Sequence, residues 1–393
     1  MSLNFRSRAA RSRIAVSRTA RLRRRRVFFE RLEDRSLLAV FAWNAVAADN
    51  NWNNPANWTL TSGVDNGTIG IPDAGDDAQF NTVSNQLSPT LSGPISLTNL
   101  SFSGTATGFN VTGSTLTVGT NTTNSAGANA VSSNLIGGGT VTVNGGTLTL
   151  SGANTLGLAT IGGGTLSINT NNAAAGAVAI NSGGVFEING VTHDAAVALN
   201  SGGTLRGVGG SAVANGTITV ANAAVTIGTG GSTSDLLTLG DGASDLTGGG
   251  ASAVVSITGS GVVALTQTSA LANTSKWNIG SGSTLSFSAE TQLTPNPGAV
   301  VANHITLAGT LRATAAATMT FNVNRGITTT GTTGAINVSD AAGVLTVSSV
   351  ITGTDITKTG AGTVTFGATN TFTGPLNIAG GVLQAGAIGN LGG

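Results

Sequence analysis

The sequence predicts an all-β protein in which a disordered basic leader precedes a parallel β-helix, also called a β-solenoid. Charged residues make up 8% of the 393 residues and glycine accounts for 59 of them, a composition that disfavours a helical enzyme. Short runs of alternating apolar and polar residues recur about every 19 or 20 positions, separated by Gly- or Asn-rich corners. This pattern is typical of solenoid coils. The chain contains no cysteine, which excludes disulfides and thiol nucleophiles.

Residues 1–40 form the first predicted segment, the basic leader. They hold twelve Arg and three acidic residues, a charge of +9, whereas the remaining 353 residues hold five bases and thirteen acids, a charge of −8. A short, strongly basic segment before an acidic body is typical of a phosphate-binding tail, a solvated tail or a targeting signal. No aromatic or zinc module accompanies the Arg run, which weakens the nucleic-acid interpretation.

A motif in the leader favours targeting. Residues 29–39 follow four consecutive arginines at 23–26 and resemble the Arg-rich LEPR-x-LL leader of large secreted and surface proteins of planctomycete bacteria, with Asp34 where Pro is commoner. The resemblance implies contact with the export machinery, a secreted or cell-surface location, and no nucleic-acid partner. The apolar stretch at 37–43 is too short to span a bilayer, so we expect no transmembrane segment.

Residues 41–95 form the second predicted segment, an N-terminal cap. Trp43, Trp52 and Trp58 are three of the four Trp in the chain. The first coil of a solenoid has an open edge that must be covered, and large aromatic residues suit that role. As an alternative, the three rings could stack on sugar rings and so bind a glycan ligand.

Residues 96–393 form the third predicted segment, a repeat array with a period of about 19–20 residues. The tetrapeptide Asn181–Gly184 recurs unchanged at Asn200–Gly203, and Val344, Thr363 and Val382 open alternating runs at intervals of 19. Every second side chain of such a run points inward. The apolar members expected inside are Leu148, Leu150, Leu166, Ile168, Phe186 and Ile188. The polar members expected outside are Thr147, Thr149, Thr165, Ser167 and Glu187.

Two stretches of the array resemble the autotransporter-associated β-strand repeat, which reads roughly K-x-G-x-G-T-L-x-L-x-G-x-N-x-Y-x-G and then G-G-T-L. Lys358–Leu383 follows this pattern, with Phe372 in place of the usual Tyr. Gly145–Ile168 is a shortened copy, and the likeness is good at 137–207 and 340–385. The resemblance implies a right-handed, single-stranded parallel β-helix of the passenger type.

Two further predictions concern the segment before the array and the C-terminal end of the array. Residues 41–80 resemble the short module that opens many proteins of this repeat type. The chain stops at Gly393, shortly after a repeat strand and without an evident cap. This indicates either truncation of a longer array or a coil that ends unprotected.

Two groups of acidic residues are candidate calcium ligands, because calcium prefers carboxylate and carbonyl oxygens. Asp73, Asp76 and Asp77 lie together in the cap, and three further aspartates lie in a Gly-rich stretch at 235–245. The alternative in both places is a turn in which each Asp accepts hydrogen bonds from its own backbone. We expect no other cofactor.

Few residues suit catalysis. Glycoside hydrolysis needs two facing carboxylates, and the five bases of the body are too scattered to bind an acidic sugar together. His193 and Asp194 are adjacent, but neighbours on a strand point to opposite faces. We therefore interpret His193 as a solvated turn residue and His304 as a plain strand residue.

The sequence as a whole predicts a non-enzymatic, exported structural or adhesion protein. Its Thr-, Ser- and Asn-rich surface suits weak, multivalent contacts with glycans or other surface proteins. The alternative is a carbohydrate-active β-helix enzyme, a polysaccharide lyase or hydrolase with an atypical site.

Overall fold

The computed structural model describes residues 38–171, 176–240 and 245–393, which belong to one compact unit, Leu37–Gly393. Residues 1–37 lie outside the described residues, and with them the Arg run and most of the export motif.

The described chain is a stack of about 14 turns in which strands of successive turns pair in parallel. The predicted all-β, parallel β-solenoid is therefore confirmed. One pairing among the described residues is antiparallel: Trp58–Ser62 lies beside Val40–Trp43 and forms the end of the first sheet.

Within the described residues, four sheets run along the stack. The strands of the first sheet are Val40–Trp43, Trp58–Ser62, Asp77–Phe80, Ile95–Phe102, Leu116–Asn124, Leu135–Ile136, Thr140–Val143, Ala159–Ile161, Val178–Ile180, Val197–Leu199, Ile218–Val220, Leu246–Gly248 and Ala270–Leu271. Those of the second sheet are Thr90–Leu91, Asn110–Gly113, Ala128–Val131, Thr147–Leu150, Thr165–Ile168, Val185–Asn189, Thr204–Val208, Ala224–Thr229, Val254–Thr258, Lys276–Ile279, Val301–Leu307, Arg325–Thr329 and Ile351–Gly353.

The third and fourth sheets begin later in the chain. The strands of the third sheet are Thr192–His193, Ser211–Ala214, Leu236–Leu239, Val262–Leu265, Thr284–Phe287, Thr310–Ala313, Ala335–Val338, Ile356–Thr359 and Leu376–Ile378. Those of the fourth sheet are Thr318–Phe321, Val344–Val347, Thr363–Phe366 and Val382–Ala385. The part of the chain that the structure describes also contains three short 3-10 helices, Pro55–Asn57, Glu290–Gln292 and Ile388–Leu391.

The number of residues per turn changes along the stack. Thr165 pairs with Val185 and Val185 with Thr204, which are offsets of 20 and 19 residues. Farther along the same sheet, Val225 pairs with Val255, an offset of 30 residues. The predicted period of about 19–20 is therefore wrong in the middle of the array. The 19-residue turn that begins at Val185 contains the two-residue third-sheet strand Thr192–His193, whereas the turn of Val225 contains the four-residue strand Leu236–Leu239 and longer connections between its strands.

The interior is a continuous apolar column. The six side chains predicted to point inward, from Leu148 to Ile188, are at most 2% exposed, which confirms the inward half of the alternation. Ser167 was expected outside but is 4% exposed. Its hydroxyl donates to Oε1 of Glu187 at 3.0 Å, and Arg206 donates to the other oxygen of the same carboxylate, so these longer side chains cover it.

The first sheet ends at Ala270–Leu271. Up to this point, a first-sheet strand follows the third-sheet strand of a turn and precedes the next second-sheet strand. In the next turn, residues 288–300, which include the 3-10 helix Glu290–Gln292, occupy this position. In the following turns that place is taken by the fourth sheet, beginning with Thr318–Phe321. The irregular turn at 288–300 brings polar groups into the interior.

Candidate functional site

The three Trp side chains of the predicted cap lie in the interior. Trp43, Trp52 and Trp58 are 1%, 0% and 6% exposed, and the Trp58 ring lies 4.9 Å and 4.7 Å from the other two, between centroids. Their indole N–H groups donate to backbone carbonyls, for example that of Trp52 to Pro72 at 3.3 Å. A ring that stacks on a sugar needs an exposed face. The arrangement corresponds to the cap-core alternative, with the rings filling the first turns.

The three aspartates proposed as calcium ligands each accept a hydrogen bond from a different protein group. Oδ2 of Asp73 accepts from the Thr68 N–H at 2.6 Å, and Oδ2 of Asp76 accepts from the Asp73 N–H at 3.2 Å. Oδ1 of Asp77 accepts from the Asn99 side-chain amide at 2.7 Å. Across the described residues, no group of three or more His, Asp or Glu side chains is arranged to hold a metal ion. The contacts of Asp73 and Asp76 correspond to the turn alternative, whereas Asp77 begins a strand and contacts a side chain of the neighbouring strand.

Asp76 lies in negatively charged surroundings. It is buried, and burial raises the pKa of its carboxyl, as do the charges of Asp73 and Asp65. Hydrogen bonds from backbone N–H groups lower this pKa and so partly offset the rise. In the second group of acids, Asp241 lies outside the described residues, and buried Asp235 accepts a hydrogen bond from the Gly210 N–H.

An open surface cleft of about 320 Å³ lies beside this loop. Its lining includes Asn53, Thr68, Ile71, Asp73, Ile95 and Ser96. Ala74 and Pro94 also line the cleft and are exposed, so they supply most of its apolar surface, whereas Ile71 and Ile95 are buried. Asp73 is the carboxylate in the lining, whereas glycoside hydrolysis uses a pair. The cleft therefore combines polar groups with apolar surface, which suits binding.

Lys358, the first residue of the repeat-like stretch, is buried at 1% exposure. Its Nζ donates to the carbonyl oxygens of Thr359, Gly360 and Gly380 at 2.7, 2.9 and 2.9 Å. Burial lowers the pKa of its ammonium group. Three carbonyl oxygens at the glycine corners thus replace the water that a buried ammonium loses, which explains why the repeat pattern combines a lysine with glycines.

The asparagine of the repeat pattern, in both repeat-like stretches, joins its turn to the turn before it. Oδ1 of Asn370 accepts from the Ile351 N–H at 2.8 Å, and Oδ1 of Asn154 accepts from the Leu135 N–H at 2.9 Å. Both contacts span 19 residues. The two stretches that resemble each other in sequence therefore also make the same contact.

A buried polar cluster, which sequence reasoning missed, lies at the irregular turn. Arg325 is 0% exposed; its Nε donates to Glu290 at 2.9 Å and its Nη1 donates to the Thr294 hydroxyl at 2.8 Å. Nη1 also lies 3.3 Å from Nδ1 of His304. Burial lowers the Arg325 pKa, and the Glu290 carboxylate opposes this effect.

His304 is a member of this cluster and not the plain strand residue that we predicted. It is 0% exposed, and its Nε2 lies 3.3 Å from the Thr294 hydroxyl. Burial, together with the positive charge of Arg325, lowers the pKa of His304 to about 4. The ring is therefore neutral at pH 7.

The prediction that His193 is a solvated turn residue is wrong. The ring is 1% exposed, meets Phe186 edge-on at 4.8 Å between centroids, and borders a small apolar cavity together with Leu150 and Leu166. Neither ring nitrogen has a hydrogen-bond partner. Burial lowers the pKa of His193 to about 4, although the charge of Asp194 opposes this.

Comparison with known proteins gives a match to a family model. Residues 356–385 match the family model described as passenger-associated-transport-repeat. No curated protein and no solved structure matches the chain. In the part of the chain that the structure describes, no helix is long and apolar enough to cross a membrane. The match runs from strand Ile356–Thr359 to strand Val382–Ala385 and includes both Lys358 and Asn370. In these turns the chain is therefore similar to the passenger-associated transport repeat, and its β-solenoid fold agrees with a repeat of the autotransporter-associated kind.

Proposed function

We propose that the chain is an exported, passenger-type β-solenoid that acts without catalysis as a structural or adhesive scaffold, secreted or at the cell surface. The observation that carries this proposal is the stretch at 356–385, which matches the transport repeat and in which Lys358 and Asn370 make contacts between turns. Buried, satisfied polar groups of this kind specify how turns stack. They form no site for a substrate.

The outer surface of the second sheet supports an adhesive role. Outward-facing residues of successive strands line up in rows along the stack, with one residue of each turn in each row. The register assigns the following residues to one such row: Thr147, Thr165, Val185, Thr204, Thr226, Ser256, Asn278, Thr306, Thr328 and Thr352. Each of them is partly exposed. A long, uncharged row in which eight of the ten residues carry a hydroxyl group suits many weak contacts with a glycan or with another surface protein.

The basic leader, residues 1–40, carries the export step of the proposal, and the segment 41–95 serves as the cap of the solenoid. Export is tested by fractionating cells that produce the full chain and sequencing the N-terminus of the mature protein. We expect the chain in the surface or medium fraction and without its Arg run. A variant with Arg23, Arg24, Arg25 and Arg26 all replaced by Gln should accumulate inside the cell. An intact leader on a chain that stays intracellular would overturn the proposal.

A further inference from the structure

We propose that the cleft beside residues 65–76 binds the pyranose ring of an uncharged or amino sugar. This inference rests on the proposed adhesive function and names the ligand class for it. The site is not formed by the three Trp rings, which are buried, but by the polar loop and the strand that lie over them.

The first argument is that the cleft presents solvent-facing donors and acceptors that no other protein group occupies. In the described chain, Oδ2 of Asp73 accepts from the Thr68 N–H, whereas its Oδ1 has no partner. Oδ1 of Asn53 accepts from the Ser92 hydroxyl at 2.8 Å, whereas its Nδ2 has none. The hydroxyl of Ser96 is also without a partner. A free acceptor, a free donor and a hydroxyl therefore line one cleft, and sugar hydroxyl groups need both donors and acceptors.

The second argument concerns shape. The cleft volume of about 320 Å³ lies within the range of small-molecule sites. Its apolar floor is formed by the exposed side chains of Ala74 and Pro94, together with the edges of Ile71 and Ile95, which are 3% and 8% exposed. A pyranose ring has an apolar C–H face and hydroxyl groups at its edge. It can therefore cover the floor while its edge meets Asp73 and Asn53.

The third argument is charge. No Lys or Arg occurs between residues 36 and 205, whereas Asp65, Asp73 and Asp76 lie in or beside the cleft. The local potential is therefore negative, and it repels the carboxylate or sulfate of an acidic sugar. An uncharged sugar or the ammonium group of an amino sugar avoids this repulsion.

The fourth argument is that the cleft is held in shape before any ligand arrives. The Trp52 indole N–H donates to the Pro72 carbonyl, and Oδ2 of Asp65 accepts from the Gly70 N–H at 2.7 Å. These bonds fix the loop that carries Asp73 onto the Trp core. A preformed site loses little conformational entropy on binding.

The experiment measures binding of the full chain to immobilised neutral, amino and acidic oligosaccharides, followed by calorimetry with the best soluble binder. Asp73→Asn and Asn53→Ala should each weaken binding about fivefold to tenfold, because each removes one polar contact. Ser96→Trp places a large ring in the cleft from an exposed strand position and should abolish binding. Asp340→Asn is the matched control, because Oδ1 of Asp340 also accepts a backbone N–H in a turn.

The outcomes separate the two proposals. Binding to neutral or amino sugars that is lost in Ser96→Trp, but kept in Asp340→Asn, supports the site. Binding only to acidic sugars, equal binding by all variants, or no binding by chain whose circular dichroism shows the folded β-structure would overturn it. A chain that is exported but binds no sugar overturns this inference alone and leaves the scaffold proposal standing.

Discussion

The ammonium group of Lys358 donates a hydrogen bond to the carbonyl oxygen of Gly380 at 2.9 Å and so joins two successive turns across 22 residues of chain. The same group also donates to two carbonyl oxygens in its own turn, those of Thr359 and Gly360. A buried ammonium is tolerated only when its donors are satisfied. The lysine and the glycine corner therefore depend on each other, and this dependence gives the first prediction.

Replacing Lys358 with Met should lower the free energy of unfolding by about 2–4 kcal/mol, because three carbonyl oxygens lose their buried donor. Urea unfolding followed by circular dichroism measures the change. Lys276→Met is the control, since Lys276 is partly exposed at the start of a strand. That change should cost less than about 0.5 kcal/mol. Equal effects of the two substitutions would contradict the role assigned to Lys358.

Gly146→Ala should destabilise the protein much more than Gly282→Ala. Both glycines have positive φ, 63° and 79°, so both substitutions place Ala in the left-handed region at a cost of about 1–2 kcal/mol. A Cβ at Gly146 would also collide with the Gly127 carbonyl oxygen of the preceding turn, whereas a Cβ at Gly282 meets nothing. We expect a further loss of about 2 kcal/mol for Gly146→Ala. Similar unfolding midpoints for the two variants would show that the corners do not stack closely.

Arg325→Met should lower stability by about 3–5 kcal/mol, because it leaves the Glu290 carboxylate without the cation that it contacts at 2.9 Å. Arg312→Met is a suitable control, since Arg312 is partly exposed and its Nε makes a long hydrogen bond of 3.3 Å to Ser286. That change should cost less than about 1 kcal/mol. The measurement is again urea unfolding at pH 7. If Arg325→Met proves as mild as the control, the cluster does not stabilise the irregular turn.

His193 should make the fold sensitive to acid. Its pKa falls from the ordinary value of 6.5 to about 4 in the folded state. Between these two pH values, the His193 side chain is therefore protonated in the unfolded chain and neutral in the folded chain. Stability is unaffected above pH 6.5, decreases as the pH falls from 6.5 to 4, and is then lower by about 3 kcal/mol. His193→Phe keeps the ring shape and removes this titration.

The test compares urea unfolding of the two proteins at pH 7, 6, 5 and 4. Between pH 7 and pH 4 the unsubstituted chain should lose about 3 kcal/mol more stability than His193→Phe. His304 and the carboxylates titrate in both proteins, so their contributions cancel in the difference. Parallel pH curves would mean that His193 is accessible to protons in the folded state.

The regular part of the fold was predictable because it depends on local patterns. Alternation assigned Leu148 and Ile168 to the interior, and both are buried there. The number of residues in the middle turns was not predictable. The third-sheet strand Leu236–Leu239 alternates between partly exposed and buried side chains just as strands of the other sheets do, so its pattern does not mark it as an additional strand of a longer turn. No local signal tells whether a run forms the second or the third strand of its turn.

The inward orientation of two basic residues could have been predicted from the alternation of their strands. Arg325 and Ile327 have the same parity on one strand, as do Lys358 and Ile356, so alternation places both cations on the inward face. Their partners could not be inferred, because Glu290 and Gly380 lie 35 and 22 residues away in the chain. The sugar cleft has the same property, since Asn53, Asp73 and Ser96 come from three separate segments.

The uneven number of residues per turn has a mechanical consequence. Hydrogen bonds between turns lie along the stack, so a pull on the two ends of the solenoid loads them one turn after another and peels the molecule open. Each released turn adds its own contour length. Turns of 19 residues, such as Val344 to Thr363, should lengthen the chain by roughly 65 Å, and the 30-residue turn from Val225 to Val255 by roughly 100 Å. Force spectroscopy should therefore record steps of unequal size.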